Sequence, residues 1–172
     1  MNYVIIFANL VPARRPCATE RVDLLINNAS TLGQTPRPAL LDYDLDALRE
    51  TFQINVLAPL ALLQCLRDHL SGEATIINIS SDAGRQAYPQ WGGYGASKAA
   101  LDHLSRTLGE EHPNWHIYAV DPGDMNTQMH QDAFPGEDIT DRADPASRVP
   151  GILHLLQAAQ PSGLYSASQF LS

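Results

Sequence analysis

The chain has 172 residues, of which 44% are hydrophobic, which suits one globular domain with a sizeable core. Acidic residues outnumber basic ones by 19 to 11, and the formal net charge of −8 argues against a nucleic-acid or anionic-membrane surface, because both partners favour basic patches. The expected partner is a small molecule or another protein. Two cysteines, Cys17 and Cys65, are too few for a disulfide framework and indicate a reducing compartment, so we predict a cytoplasmic protein.

The first half of the chain alternates apolar runs with polar breaks. Apolar runs over 1–11 and 22–26 predict two strands, and the first run is far shorter than the roughly 20 residues that span a bilayer. The second run ends in a polar turn at 27–30, and open α/β sheets bind ligands at the carboxyl ends of their strands. A helix with an aspartate cap is then predicted over 42–69, with a kink at Pro59.

The second half continues the same alternation. A β-branched run over 74–79 predicts a strand, and a helix is predicted to begin near Tyr94 and to end by His112 because a proline follows. A strand over 115–120 and, after a polar loop, a helix over 145–160 come next, and the tail is expected to give a final strand. This order predicts a single α/β domain over the whole chain, with a parallel sheet and helices on both faces.

Tyr94 and Lys98 are spaced four residues apart, so on a helix their side chains share one face. The sequence uses arginine ten times and lysine once, and this single lysine follows a tyrosine in a glycine-rich setting. A free tyrosine, with a pKa of about 10, is a poor acid or base at neutral pH unless a nearby cation favours its phenolate. The alternative is that Tyr94 packs on the helix while Lys98 is solvated.

Two further polar residues lie where they can take part in the same chemistry. Ser81 lies thirteen residues before Tyr94 at the end of a predicted strand, where its hydroxyl can hydrogen-bond a carbonyl or alcohol. Asn55 lies in the middle of a predicted helix among apolar neighbours. A buried asparagine must be hydrogen-bonded, so the alternative for Asn55 is a purely structural, helix-bending role.

Five motifs in this order and spacing resemble those of the short-chain dehydrogenase/reductase family. They are Asn27-Asn28-Ala29, the helical Asn55, Ile79-Ser80-Ser81, Tyr94-Gly95-Ala96-Ser97-Lys98 and Pro122-Gly123-Asp124-Met125-Asn126-Thr127. The resemblance covers residues 22–172. It implies a Rossmann-type, doubly wound and mostly parallel sheet, and an NAD- or NADP-dependent oxidoreductase that acts on a small-molecule alcohol or carbonyl substrate.

The resemblance also implies a role for each matching residue. Tyr94 would exchange a proton with the substrate oxygen, and Ser81 would orient that oxygen. Lys98 would lower the pKa of Tyr94 and hold the nicotinamide ribose, while Asn55 would fix a water that relays protons to Lys98. Tyr94 and Lys98 would contact the cofactor together with Asn27, Ala29, Pro122, Gly123 and Thr127. Members of the family pair their subunits through helices, so a homodimer or homotetramer is expected.

The region ahead of Val22 departs from the family pattern. The family begins with a strand and a glycine-rich turn that receives the pyrophosphate, followed by further strand–helix units. Two such units need about 60 residues, whereas 21 residues precede Val22 and no Gly-x-x-x-Gly-x-Gly signature occurs. We therefore expect most of the N-terminal cofactor-binding units to be missing, and the residue that selects NAD or NADP with them. Ser30 also replaces the glycine of the Asn-Asn-Ala-Gly motif.

Other functions were weighed against oxidoreduction. An incomplete cofactor site leaves open a non-catalytic remnant that acts through self-association or a protein partner, with the helices at 43–69 and 94–111 as the dimer face. A hydrolase is disfavoured because the segment 95–99 lacks the preceding strand and the final glycine of a nucleophile elbow. No metal site is predicted, since the six histidines form no HExxH motif.

Overall fold

The computed structural model describes residues 3–6 and 21–171, and within them five strands form one sheet. The strands are β1 (Tyr3–Ile6), β2 (Val22–Asn27), β3 (Leu70–Ile79), β4 (His116–Asp121) and β5 (Gly163–Ser166). They lie in the order β1-β2-β3-β4-β5, and every neighbouring pair is parallel. The predicted parallel α/β sheet is confirmed. The rest of the strand predicted over 1–11, and Cys17, lie outside the described residues.

In the described part of the chain, five α-helices connect or follow the strands. They are α1 (Leu45–Phe52), α2 (Ala58–Leu66), α3 (Gly92–Glu111), α4 (Gln128–Ala133) and α5 (Val149–Ala158). Short 3₁₀ turns precede or follow several of them, at 40–42, 67–69, 82–84, 145–148 and 167–170. Within the described part of the chain, none of the helices is long and apolar enough to cross a membrane.

The helix predicted over 42–69 is one helical segment with a wide turn in its middle. Of the aspartates near its start, Asp44 caps α1 by accepting a hydrogen bond from the backbone N–H of Asp46 at 3.1 Å. A π-helical turn, Gln53–Leu57, then joins α1 to α2. The predicted irregularity at Pro59 has this form because proline has no N–H for the carbonyl of Asn55, four residues earlier. Such π turns are frequent at functional sites.

The sheet is buried on both faces, because successive side chains of a strand point to opposite sides. On one face Leu155 of α5 is fully buried in a cluster with Leu24, Ile77, Tyr118 and Val120. On the opposite face Leu63 and Leu66 of α2 pack with Leu25, Ile76 and Ile117. The expectation of helices on both faces is confirmed.

Several predicted boundaries were wrong. The polar loop expected before residue 145 contains the helix α4. Its six residues show no apolar periodicity, so the sequence did not predict a helix there. Its first turn is closed by the Thr127 hydroxyl, which accepts from the backbone N–H of His130 at 3.2 Å. Strand β3 begins at Leu70 rather than at residue 74, and β5 ends at Ser166 because a capped 3₁₀ turn follows it.

Candidate active site

The polar ends of β2, β3 and β4 meet the first turns of α3 at one edge of the sheet. A cavity of about 440 Å³ opens there, and it is lined by Ser81, Tyr94, Lys98, Pro122, Gly123 and Thr127 together with neighbouring residues. Six of the nine residues singled out in the sequence therefore share one cavity. Asn27, Ala29 and Asn55 are not among its lining residues.

Tyr94 lies in the first turn of α3 and is 8% exposed, with its phenol in the cavity wall. Its side chain hydrogen-bonds those of Ser81 and Ser30. Burial disfavours the phenolate and raises the pKa of Tyr94 to about 12, and the two hydrogen bonds oppose this rise. The phenol is therefore neutral at physiological pH.

Lys98 lies one turn further along α3 and is 2% exposed. Its ammonium donates to the carbonyl oxygen of Ile79 at 2.7 Å and lies 5.5 Å from the ring centroid of Tyr94. Burial lowers the pKa of Lys98 to about 8, against the opposing attraction of Asp102. The expected cation beside the tyrosine is present, and the alternative of a solvated lysine is wrong.

The pKa of Tyr94 differs in direction from the sequence-based expectation. The sequence predicted a phenol whose pKa Lys98 lowers, whereas burial is the largest influence on this phenol and raises its pKa. The reason is that the pair is buried together: removing both groups from water favours the neutral phenol and the neutral amine. A lowering by Lys98 stays a prediction for the reaction itself.

Ser81 lies two residues beyond β3 and begins a 3₁₀ turn, Asp82–Gly84. Its hydroxyl accepts from the backbone N–H of Ala83 at 3.2 Å and donates to the carboxylate of Asp82 at 3.0 Å. This turn packs closely on α3, because a Cβ at Gly95 would lie 2.6 Å from the carbonyl oxygen of Ala83. A glycine at position 95 therefore permits the approach that brings Ser81 to the phenol.

Asn55 is 1% exposed in the π-helical turn, and its side chain is fully hydrogen-bonded. Its amide group donates to the carbonyl of Thr31 and to the hydroxyl of Ser97, each at 2.9 Å. Its oxygen accepts from the Thr31 N–H at 2.9 Å and from the Ser30 hydroxyl at 3.1 Å. Asn55 thus ties the loop after β2 to α3, which fits the structural alternative and leaves its role in a proton relay a prediction.

The turn after β2 presents different residues from those predicted. Asn28 and Ser30 line the cavity, whereas Asn27 donates to the side chain of Asn78 at 2.7 Å inside the fold. Side chains alternate along an extended segment, so residues 28 and 30 share a side that residue 27 does not. This period of two separates residues 27 and 29 from residues 28 and 30 in the sequence, and the pairing of Asn27 with Asn78 decides which of the two sides faces the cavity.

The turn after β4 brings its polar groups to the same cavity. Gly123 has a φ of 74°, a backbone conformation that favours glycine, and its N–H is bound by the carboxylate of Asp121 at 2.8 Å. The adjacent Pro122 and the α4 cap Thr127 also line the cavity. These three predicted residues therefore meet Lys98 around one space.

Sequence reasoning missed two residues near Tyr94 and Lys98, of which Trp91 lines the cavity and Asp102 does not. Trp91, three residues before Tyr94, packs edge-on to its ring at 5.7 Å between centroids. Asp102, four residues after Lys98, is buried and accepts from the Ser80 hydroxyl at 2.5 Å, and burial raises its pKa. Helical spacing along one face of α3 would have pointed to both. In the described ranges no group of three His, Cys, Asp or Glu side chains could hold a metal ion.

Comparison with protein families gives a match over most of the chain. A family model described as short chain dehydrogenase matches residues 13–138. Mouse sepiapterin reductase is 36% identical over 121 residues, which cover 68% of this chain and 46% of that protein. The benzil reductase ((S)-benzoin forming) of Bacillus subtilis is 36% identical over 112 residues, which cover 61% of this chain and 45% of that protein. The chain spans about half the length of the curated relatives it matches.

Solved structures with the same fold are also similar to the chain. The oxidoreductase YciK of Escherichia coli superposes with a TM-score of 0.80 and 29% identity over 86% of this chain and 62% of that one. A short-chain dehydrogenase from Shigella flexneri 2a, complexed with NADP, superposes with a TM-score of 0.80 and 29% identity over 86% of this chain and 64% of that one.

Proposed function

This chain belongs to the short-chain dehydrogenase family, and we propose on that basis that it is an NAD(P)-dependent oxidoreductase interconverting an alcohol and a carbonyl group. One observation carries the proposal: the buried phenol of Tyr94 lies in a cavity wall, hydrogen-bonded to Ser81 and one helical turn from the ammonium of Lys98. An acid, an orienting hydroxyl and a cation around one space are the groups that carbonyl reduction needs.

Tyr94 is proposed to exchange a proton with the substrate oxygen. A phenol with a pKa of about 12 is protonated at neutral pH, which suits a proton donor in the direction of carbonyl reduction. The hydroxyl of Ser81 hydrogen-bonds the phenol in the absence of substrate, and it can donate to a carbonyl oxygen at the same point when its proton turns away from the Asp82 carboxylate. Ser30, which the family pattern does not assign, hydrogen-bonds the same phenol.

Lys98 is proposed to serve both the phenol and the cofactor. An ammonium has three N–H donors, and the carbonyl of Ile79 takes one of them at 2.7 Å. The others are available to ribose hydroxyls, because Lys98 lines the cavity. When Tyr94 gives up its proton, the positive charge beside it favours the phenolate and so lowers the cost of the transfer.

The residues at the end of β4 fit the nicotinamide end of a dinucleotide. Pro122, Gly123 and Thr127 offer a backbone turn and a hydroxyl beside Lys98. Asn28, directly after the end of β2, lines the same cavity. A nicotinamide cofactor bound there supplies or accepts the hydride. For the pyrophosphate the sequence contains no Gly-x-x-x-Gly-x-Gly signature. NADP is the first cofactor to test, since the Shigella flexneri relative is complexed with it.

Three other predicted residues keep their proposed roles with altered geometry. Asn27 and Ala29 would support Asn28 and Ser30 from behind, rather than line the cavity where the cofactor would bind. The side chain of Asn55 is fully hydrogen-bonded to protein groups. The backbone carbonyl of Asn55 receives no N–H from Pro59, because proline has none, so a water fixed by Asn55 would be held by this carbonyl. We also propose a cytoplasmic location and a homodimer or homotetramer.

The experiment that tests the function is titration of the purified chain with NADPH and NADH, following tryptophan and nicotinamide fluorescence. Trp91 lines the cavity, whereas Trp115 donates to the Ser71 carbonyl at 3.2 Å elsewhere in the fold. We expect saturable binding that changes Trp91 emission in a Trp115→Phe variant. A folded chain that binds neither cofactor at millimolar concentration would overturn the proposal for this chain.

Self-association without catalysis is the alternative function. Leu45 and Leu57, on the segment that spans α1 and α2, are 61% and 48% exposed, which favours a contact with another protein surface. Sedimentation of the wild type and a Leu57→Glu variant tests this alternative. Self-association without catalysis is supported if the wild type is a dimer that Leu57→Glu disrupts and the chain binds no cofactor. A monomeric wild type contradicts it.

A further inference from the structure

We infer that the carbonyl substrate of this site is an uncharged aromatic ketone or aldehyde that carries no carboxylate or phosphate. The inference rests on the proposed function for the chemistry of the carbonyl group, and on the walls of the cavity for the rest of the molecule. Two independent features of those walls support it: an aromatic surface beside the phenol, and a surplus of carboxylates.

The wall next to the reacting phenol is aromatic. The ring of Trp91 lies 5.7 Å from that of Tyr94 and 5.9 Å from that of Phe134, measured between centroids. Leu32, Ala133, Met129 and Tyr88 extend this surface. Aromatic rings attract one another edge-on or offset at such separations, beyond the effect of the area they bury, so an aryl group beside the substrate oxygen is favoured.

A cation from outside the cavity wall holds this aromatic surface in place. The guanidinium of Arg37 stacks 3.8 Å from the ring centroid of Trp91 and 4.9 Å from that of Phe134. It also donates to the carbonyl of Ala133, at the end of α4, at 2.5 Å. Arg37 is itself not a lining residue, so it contacts the rings of the wall rather than the space of the cavity.

The charged groups of the cavity disfavour an anionic substrate. Asp82, Asp121 and Asp124 line it, and among the described lining residues Lys98 is the single Lys or Arg. Arg85, outside the lining, pairs with Asp121 at 3.4 Å, so the surplus of negative charge is carried by Asp82 and Asp124. The ammonium of Lys98 donates to the Ile79 carbonyl and lies 5.5 Å from the ring centroid of Tyr94. The side chain of Asp124 is 71% exposed at the rim, 3.8 Å from the ring nitrogen of His130. A substrate carboxylate brought into this space meets the like charges of these aspartates.

The test compares acetophenone with 4-acetylbenzoate, which differ by one carboxylate, by calorimetric titration of the chain with and without NADPH. We expect acetophenone to bind about tenfold more tightly, a difference of about 1.4 kcal/mol. Equal binding of the two probes, tighter binding of 4-acetylbenzoate, or no binding of either would overturn the inference.

Variants separate the two features. Asp124→Asn should strengthen 4-acetylbenzoate binding roughly threefold with little effect on acetophenone, since it removes one rim charge. Asp132→Asn, an exposed change on α4 outside the cavity lining, is the matched control and should change neither. Trp91→Leu should weaken acetophenone binding. If Trp91→Leu fails to fold, Asp124→Asn still tests the inference, because Asp124 is exposed and its substitution leaves the core unchanged.

Failure of this inference is distinguishable from failure of the proposed function. Selective binding of acetophenone without oxidation of either NADPH or NADH would overturn the oxidoreductase proposal and support the ligand class. Equal turnover of both probes with NADPH would support the oxidoreductase proposal and overturn the ligand class.

Discussion

The ammonium of Lys98 donates to the carbonyl oxygen of Ile79 across 2.7 Å, joining the middle of α3 to the last residue of β3. Ser81 follows Ile79 by two residues and Tyr94 precedes Lys98 by one helical turn. This one hydrogen bond therefore fixes the distance between the two hydroxyl groups of the site. The lysine positions the reacting groups as well as supplying charge to them.

Tyr94→Phe should lower carbonyl reduction roughly 100- to 10,000-fold while leaving cofactor binding in place, because it removes the proton donor and keeps the ring. The measurement is the rate of NADPH oxidation at saturating cofactor. Tyr88→Phe is the matched control, since Tyr88 lines the same cavity but its hydroxyl donates to Asp82 at 2.7 Å. Equal rates for wild type and Tyr94→Phe would remove Tyr94 from the chemistry.

Lys98→Met should change how stability depends on pH. The pKa of Lys98 falls from 10.5 to about 8 on folding, so its charge costs stability at pH 7, and the wild type recovers this cost as pH rises from 8 to 10.5. We expect the wild type to gain about 2 kcal/mol relative to Lys98→Met between pH 7 and pH 10, measured by urea unfolding. Arg106→Met, an exposed cation on α3, should show no such change, and a parallel pH dependence in wild type and Lys98→Met would contradict the prediction.

Gly95→Ala should destabilise the fold by about 1–3 kcal/mol, because the added Cβ would meet the backbone oxygen of Ala83 at 2.6 Å and backbone cannot move aside cheaply. Thermal unfolding measures this. The control is Gly92→Ala on the same helix, where the Cβ would meet only the side chain of Leu40, which is 60% exposed. Equal melting temperatures for the two variants would show that the approach of the 82–84 turn to α3 is not tight.

Asn55→Ala should cost about 2–4 kcal/mol, because it removes the side-chain partners of the Thr31 N–H and of the Thr31 carbonyl. Amide hydrogen exchange at Thr31 should accelerate more than exchange in β4, which lies away from this network. Gln53→Ala, an exposed change in the same π-helical turn, serves as the control. Unchanged exchange at Thr31 would argue against the tether between the loop and α3.

Local patterns predicted the parts of the fold that depend on local chemistry. Continuous apolar runs indicated strands buried on both faces, and the aspartate cap and following proline indicated where α1 and α3 begin and end. The spacing of Tyr94 and Lys98 placed both on one face of a helix before any tertiary contact was known. Such features need only the period of the element and the shape of each side chain.

The turn after β2 shows where sequence reasoning stopped. The motif drew attention to Asn27 and Ala29, but the cavity receives Asn28 and Ser30, because Asn27 turns inward to Asn78. Similarly, the short helix α4 carries no apolar period of its own and is stabilised by its cap and by its place against the aromatic wall. These outcomes depend on partners about 50 residues away and more in the chain.

By itself, then, the sequence determined the α/β class, the order of the strands along the chain and the identity of the hydroxyl, phenol and ammonium groups that the site uses. Only the tertiary structure decided the directions of their pKa shifts and which side chains face the cavity. The physical reason is that the pKa values of Tyr94 and Lys98 follow from how far each is removed from water, and burial of a charge is set by packing from every direction at once.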